Sequence, residues 1–243
     1  MNHNEIRTLL QRDPAWCVFA LSDLHPAVAG HCQWHVSGNA VMLVYTGFDP
    51  PILFTHGDVE TLLPRLTAER FSLQVKPEVL PLLEKQYRVE HLRTMWRMVL
   101  AEPVPAPTQT VRLSMDDLAE LQALHADGIT TNEAPEYFSP FLLRQGAFHG
   151  LRIAGSLVAA AGTYMVVPDE GVAAIGHVYT RRDQRGLGYA GLVTAAVAAD
   201  LTAQGCTVIA LNVEQQNAAA VRVYERLGFR RHCAFQEGIV VRA

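Results

Sequence analysis

The stretch Thr180-Arg181-Arg182-Asp183-Gln184-Arg185-Gly186-Leu187-Gly188-Tyr189-Ala190-Gly191 follows an apolar run, Val172 to Tyr179, and precedes a stretch of helical pattern, Leu192 to Gln204. A glycine loop between a strand and a helix presents backbone N–H groups at a helix N-terminus, where unbonded amides and the helix dipole favour an anion. Gly186 and Gly188 allow a bulky phosphate group to approach the main chain, and Arg185 adds a positive charge. The stretch predicts a strand–loop–helix unit that holds a phosphorylated ligand.

Two ligand classes fit such a unit. Gly186-Leu187-Gly188-Tyr189-Ala190-Gly191 matches the dinucleotide fingerprint G-x-G-x-x-G, and Glu214 follows the apolar run Thr207 to Val213. In a dinucleotide fold the first glycine follows its strand almost directly. Here the polar residues Arg181 to Arg185 intervene, and the residues after Glu214 leave room for one more helix and a hairpin rather than the rest of a doubly wound sheet. NAD is therefore disfavoured.

The second fit is more specific. Arg185-Gly186-Leu187-Gly188-Tyr189-Ala190 resembles the R/Q-x-x-G-x-G/A loop of the GNAT acyltransferases, the Gcn5-related N-acetyltransferases. His177-Val178-Tyr179-Thr180 together with Gly188-Tyr189-Ala190 is similar to the FR47-like branch of that superfamily. A second block, Asn217 to Phe229, resembles the family helix N-x-x-A-x-x-x-Y-x-x-x-G-F, with Asn217, Ala220, Tyr224, Gly228 and Phe229 in the matching positions. The resemblance covers residues 110 to 243.

The composition sets bounds on what the chain does. Its 243 residues are 49% hydrophobic and 18% charged, enough apolar content for a packed core and too much for disorder. A net charge of −4 gives no electrostatic case for nucleic acid or an anionic membrane. Met1 to Asp13 is polar with a helical pattern, so no secretory leader is expected, and no apolar run is long enough to span a bilayer. Cys17, Cys32, Cys206 and Cys233 are scattered without a C-x-x-C pair and read as reduced thiols of a cytoplasmic protein. His31 and His35 share a strand face that Cys32 does not, and no second ligand pair accompanies them, so no metal is expected.

Pro103, Pro105 and Pro107 interrupt both helix and ladder, so residues 103–108 read as a linker between an N-terminal α/β domain, 1–102, and a domain of 109–243. Upstream, Glu5 to Gln11 reads as a helix. His31 to Val36 and Ala40 to Thr46 read as a hairpin around Ser37-Gly38-Asn39, with Ile52 to Thr55 as a third strand. Val59 to Leu66 and Pro77 to Gln86 have helical spacing, and Leu92 to Leu100 is apolar enough for a strand.

Downstream, Thr110 to Leu113 is a short strand and Ser114 caps a helix whose apolar face is Leu118, Leu121 and Leu124. Glu136 to Gln145 is a second helix. Phe148 to Ile153, Leu157 to Val166 and Ala173 to Thr180 are strands, followed by the glycine-loop helix, strand Thr207 to Val213, helix Ala219 to Leu227 and a final pair of strands around Phe235-Gln236-Glu237-Gly238. This order is the one the GNAT resemblance implies. The implied fold is α/β (α+β), a mixed, mostly antiparallel sheet flanked by helices, preceded by a smaller N-terminal domain that reads as a degenerate half-copy of the same fold.

The resemblance also implies a chemistry: transfer of an acetyl or acyl group from acetyl-CoA to the primary amine of a small molecule or peptide, by direct attack in a ternary complex of a monomer or homodimer. The main chain of Gly186, Leu187, Gly188, Tyr189 and Ala190 would take the pyrophosphate, Arg185 would support that loop or contact phosphate, and the main chain of Val178, Tyr179 and Thr180 would bond the pantetheine arm. Tyr224 matches the general acid that protonates the departing thiolate, and Asn217 matches a residue that contacts the pantetheine or caps the last helix. The glutamate that serves many relatives as base is replaced by Ala174. His177, on the same strand, is the alternative base, although strict alternation puts it on the face opposite Ala174. Glu170 reads as a turn acid, and Glu133, Glu136, Tyr137 and Phe138 fall in the region that lines the acceptor pocket. A longer-chain N-acyltransferase of the glycine-conjugating kind and a non-catalytic acyl-CoA-binding module are the two rival readings.

Overall fold

The computed structural model describes residues 3–131, 133–135 and 138–243. In chain order its main elements are α1 (His3–Leu10), α2 (Val18–Ser22), β1 (Cys32–Ser37), β2 (Ala40–Tyr45), β3 (Ile52–His56), β4 (Arg70–Val75), α3 (Leu80–Leu83), β5 (Tyr87–Leu100), β6 (Thr110–Arg112), α4 (Leu118–Ala126), α5 (Pro140–Gln145), β7 (His149–Ile153), β8 (Ser156–Val167), β9 (Val172–Thr180), α6 (Tyr189–Ala203), β10 (Val208–Glu214), α7 (Ala218–Arg226) and β11 (Phe229–Arg242). The chain forms two compact units. One contains Met1–Arg97, Val213–Asn217 and Arg231–Ala243, the other Met98–Asn212 and Ala218–Arg230.

In the first unit the strand order is β1-β2-β3-β4-β11-β5. Ser37 pairs with Ala40, so β1 and β2 are joined by a two-residue turn. Gly38 takes the positive φ of 57° that such a turn needs. β2 and β3 are antiparallel, whereas β3 and β4 run parallel. Leu53, Phe71, Leu73 and Val75 form the core of this unit together with Leu62 and Leu63. Arg97 is fully buried, its guanidinium 5.4 Å from the Trp16 ring, 5.0 Å from Phe19 and 5.5 Å from Phe235.

The second unit has the strand order β10-β9-β8-β7-β6. β6, β7, β8 and β9 are successive antiparallel neighbours, and β9 and β10 are parallel. The first unit has a similar pattern with one strand fewer: β1, β2 and β3 are successive antiparallel neighbours and β4 then pairs parallel with β3. Ser114 accepts the Asp116 N–H at 3.2 Å while Asp117 accepts the Ser114 N–H at 2.8 Å, a capping box ahead of α4. Leu121 and Leu124 then pack with Phe148, Ala160 and Tyr179. The alanine-rich α6 lies on β7, β8 and β9, and its buried Ala195, Ala196 and Ala198 let helix and sheet approach closely.

The architecture is the mixed, mostly antiparallel sheet that the sequence predicts, with local departures. The expected final strand pair is one strand, β11. Gly238 does not turn the chain; a Cβ there would lie 2.1 Å from the His91 carbonyl oxygen, so the glycine serves close strand approach. Val59 to Leu66 forms only a 3₁₀ turn at Leu63–Arg65, and Pro77 to Gln86 a 3₁₀ turn followed by the four-residue α3. Pro64 and Pro81 lack the N–H groups that longer helices would use. β4 was missed because Arg70–Val75 is short and its alternation begins with a charged residue. The expected helix from Glu136 begins at Pro140; Glu136 and Tyr137 lie outside the described residues.

Candidate active site

The parallel ladder of β9 and β10 runs from Val172 and Val208 to Ile175 and Leu211 and stops there. Both strands continue, β9 to Thr180 and β10 to Glu214. The main chain of Gly176 to Thr180 thus has no partner on its β10 side. Two side-chain oxygens around this parting, Thr180 Oγ1 and Asn212 Oδ1, are buried without a hydrogen-bond partner among the described residues. A buried polar atom left in that state costs about 1–3 kcal/mol, so the gap suits a ligand that supplies amide-like groups.

The glycine loop lies just beyond β9. Gly186 and Gly188 have φ of 79° and 82°, values that favour glycine, and the space where a Cβ would point is open at both. Gly188 is the N-cap of α6 and offers no side chain to the helix. Among the described residues, the amides of Gly186 through Gly191 are not taken up by turn or loop bonds; the first bond to close is from the Leu192 N–H to the Gly188 carbonyl, at 3.3 Å. A fifteen-residue helix therefore points open amides at a bare surface, the arrangement that binds phosphate. Leu187, at the tip, is 59% exposed.

Arg185 supports this loop. Its guanidinium grips Glu133 with two bonds of 2.9 and 3.2 Å, donates to the Thr180 carbonyl at 3.2 Å and lies 5.6 Å from the Tyr179 ring centroid. The bidentate pair holds the Glu133 carboxyl down at about 2. Glu133, expected to line the acceptor pocket, is thus committed to an ion pair. Asp127 performs a related task that sequence reasoning missed: it accepts the Tyr179 hydroxyl at 2.8 Å and the Arg182 N–H at 3.1 Å, tying the end of α4 to the end of β9.

His177 departs from simple alternation. Ala160 pairs with Tyr179 and Gly162 with Gly176, so His177 and Val178 together oppose Ala161. This is a β-bulge, and His177 carries its positive φ of 52°. The bulge resets the alternation used to place His177 against Ala174. The ring is 2% exposed and lies 4.5 Å from Tyr164, 5.7 Å from Phe138 and 5.7 Å from Phe148, measured between centroids. His125, from α4, stacks at 6.4 Å. Among the described residues, no ring nitrogen of either histidine has a hydrogen-bond partner. Burial lowers His177 to about 3, with help from the charge His125 would carry, and lowers His125 to about 4 by burial alone. Both are therefore neutral imidazoles at pH 7. His125 was overlooked, yet it sits four residues after Leu121 on the apolar face of α4, where a lone polar residue is a signal.

Tyr224 lies on α7, 8% exposed, with its ring 6.1 Å from Phe229. Burial raises its phenol to about 12. α7 reaches the glycine-loop helix through Val223, whose Cγ1 is 3.7 Å from where a Gly191 Cβ would stand. Asn217 is exposed and stands directly before α7. Ala174 is buried in the β9–β10 ladder opposite Ala210, and Glu170 ends the turn before β9. Among the described residues, no group of three or more His, Cys, Asp or Glu is placed to hold a metal ion, and no helix is long and apolar enough to cross a membrane.

The site thus joins a helix N-terminus opened by glycines to a parallel strand pair that parts midway, within a mixed α/β fold. Residues 114–229 match the acetyltransferase (GNAT) family model. The crystal structure of a GNAT-family protein from Novosphingobium aromaticivorans is 28% identical and superposes with a TM-score of 0.59, covering 86% of this chain and 90% of that one. A mycothiol acetyltransferase from Geodermatophilus obscurus is 38% identical over 113 residues, which are 44% of this chain and 34% of the relative. One from Thermobispora bispora is 35% identical over 164 residues, 57% of this chain and 54% of the relative. The chain thus spans between a third and a little over half of the length of these curated relatives.

Proposed function

We propose that the protein is an N-acyltransferase that takes an acetyl group from acetyl-CoA and passes it to the primary amine of a small molecule or peptide. The observation that carries this reading is the pairing of the open amides at Gly186–Gly191 with the unpartnered main chain of β9 beyond Ile175. The first suits a pyrophosphate and the second an extended arm rich in amides. Thr180 Oγ1 and Asn212 Oδ1 stand near that arm as unused polar atoms. Bound acetyl-CoA would supply an activated thioester carbon for an amine to attack.

Within this reading Val178, Tyr179 and Thr180 bind through main-chain groups, Gly186 to Ala190 cradle phosphate, and Arg185 fixes the loop through Glu133. Tyr224 keeps its proton at neutral pH and can donate it to the departing thiolate. Asn217 either contacts the donor's arm or caps α7. His177 is the nearest basic side chain on β9, but a ring lowered to about 3 is a weak acceptor of an ammonium proton, and a water path to solvent fits that step better. The relatives' name makes the acceptor of mycothiol acetyltransferases the first amine to try. The FR47-like placement rests on His177 to Thr180 and the loop residues.

Titration calorimetry with acetyl-CoA, followed by thiol release across a panel of amines, amino acids and polyamines, tests the reading. Binding without any acceptor-stimulated thiol release would favour an acyl-CoA-binding module, a reading supported by Ala174 in place of a carboxylate. Faster release from longer acyl-CoA donors would favour the glycine-conjugating kind.

A further inference from the structure

His125 and His177 form a feature that acetyl-CoA binding does not use. The rings belong to different elements, α4 and the β9 bulge, and are 6% and 2% exposed. Four ring nitrogens, two of which carry a hydrogen in the neutral form, have no hydrogen-bond partner among the described residues. Native interiors rarely leave such groups unmet, and each one calls for a physical reason. The walls around them are aromatic: Phe138 lies 5.1 Å from His125, Phe148 5.7 Å from His177 and Tyr164 4.5 Å from His177. The nearby carboxylate of Asp127 is engaged by the Tyr179 hydroxyl and the Arg182 amide. Among the described residues, no carboxylate or cationic side chain acts on His125, and His125 is the one ionisable group that acts on His177.

We propose that His125 and His177 recognise the acceptor, and that the group they take is small, uncharged and able both to donate and to accept hydrogen bonds, a hydroxyl or a primary amide. This rests on the acyltransferase reading above and narrows its substrate class. A hydroxyl or amide satisfies both kinds of ring nitrogen at once. An alkyl group leaves them unmet, and a second ammonium or carboxylate gives up its hydration with no countercharge among the described residues to meet it. Beside aromatic rings an unmatched polar group finds few other partners, which sharpens the difference between a matched and an unmatched group.

The test uses the full chain and five amines of similar size: 2-aminoethanol, glycinamide, propylamine, 1,2-diaminoethane and glycine. Acetyl transfer to 2-aminoethanol or glycinamide should exceed that to propylamine by at least about tenfold in kcat/KM, since a site built to bond a polar group rejects the analogue lacking it. The two charged amines should be no better than propylamine. His125→Phe and His177→Asn, the latter chosen because asparagine tolerates a positive φ, should bring the preference to within about twofold. In parallel, imidazole ¹⁵N spectra of the wild-type protein should show the His125 and His177 nitrogens shifting with 2-aminoethanol or glycinamide but not with propylamine. Equal rates across the set, a preference for a charged amine, or ring signals indifferent to every probe overturns the proposal. Ring shifts without thiol release from any amine would leave the recognition standing and sink the acyltransferase reading instead.

Discussion

Gly162 and Gly176 stand directly opposite each other across β8 and β9, and each makes room for a ring on the same cluster. A Cβ on Gly162 would lie 2.1 Å from Phe148, and one on Gly176 would lie 2.1 Å from Tyr164. Both rings then reach His177. The paired absence of side chains is thus what admits the aromatic walls.

Gly176→Ala should therefore destabilise the fold by about 1–3 kcal/mol, the usual range for overpacking. Urea unfolding followed by far-ultraviolet circular dichroism checks this. A midpoint within error of wild type would show that Tyr164 moves aside freely and that the wall is soft.

Gly188→Glu should abolish measurable acetyl-CoA binding. The residue sits at φ 82°, which opposes any side chain, and the space above it is open, so the new carboxylate would occupy the anion's place. Calorimetry on a variant whose circular dichroism matches wild type decides the point; unchanged affinity would move the donor elsewhere.

Tyr224→Phe should lower the single-turnover rate of acetyl transfer by about 10²–10⁴-fold while leaving donor affinity nearly intact, as expected for loss of a general acid. Steady-state kcat alone can hide this if product release is slow. An unchanged single-turnover rate would give Tyr224 a packing role against Phe229.

The pH dependence of stability follows from groups of opposite sign. His125 and His177 fold with values of about 4 and 3, below their ordinary 6.5, so between these limits the unfolded chain binds protons that the native one refuses. Their contribution is complete above pH 6.5 and is lost as pH falls, by up to about 1.4 kcal/mol per pH unit each. Asp23 is raised by burial to about 7 and works the other way, stabilising as pH falls from 7 towards 4. His35 and His56, also lowered by burial, side with the first pair. Stability should therefore decline from pH 7 to pH 5 in urea titrations. His125→Phe should flatten the decline and Asp23→Asn should steepen it; a stability that rises on acidification would contradict the sign.

The glycine loop, its flanking strand and helix, and the Asn217–Phe229 helix were legible because each depends on local signals: glycine where φ is positive, alternation, and helical spacing. The β9 bulge was not. Nothing in His177 or its neighbours announces that one strand will contain an extra residue, and that single insertion changes which face His177 occupies. The Glu133 clamp was hidden for a related reason. An exposed glutamate in a loop and an arginine more than fifty residues later become partners only after α4 and β9 have been packed together. β11 misled in the opposite sense, because Gly238 has the appearance of a turn residue while its role lies with a neighbouring strand.

The parting of β9 from β10 has a consequence for how such a protein can diverge. On the reading proposed above, the donor is gripped by peptide groups, and every residue but proline carries the same ones. Substitutions along Val178 to Thr180 can then accumulate under weak selection, with proline the change most strongly purged. On the same proposal the acceptor side is written in side chains, and a single codon at His125 or His177 would alter the substrate. Lineages descended from this scaffold would keep one donor and exchange acceptors.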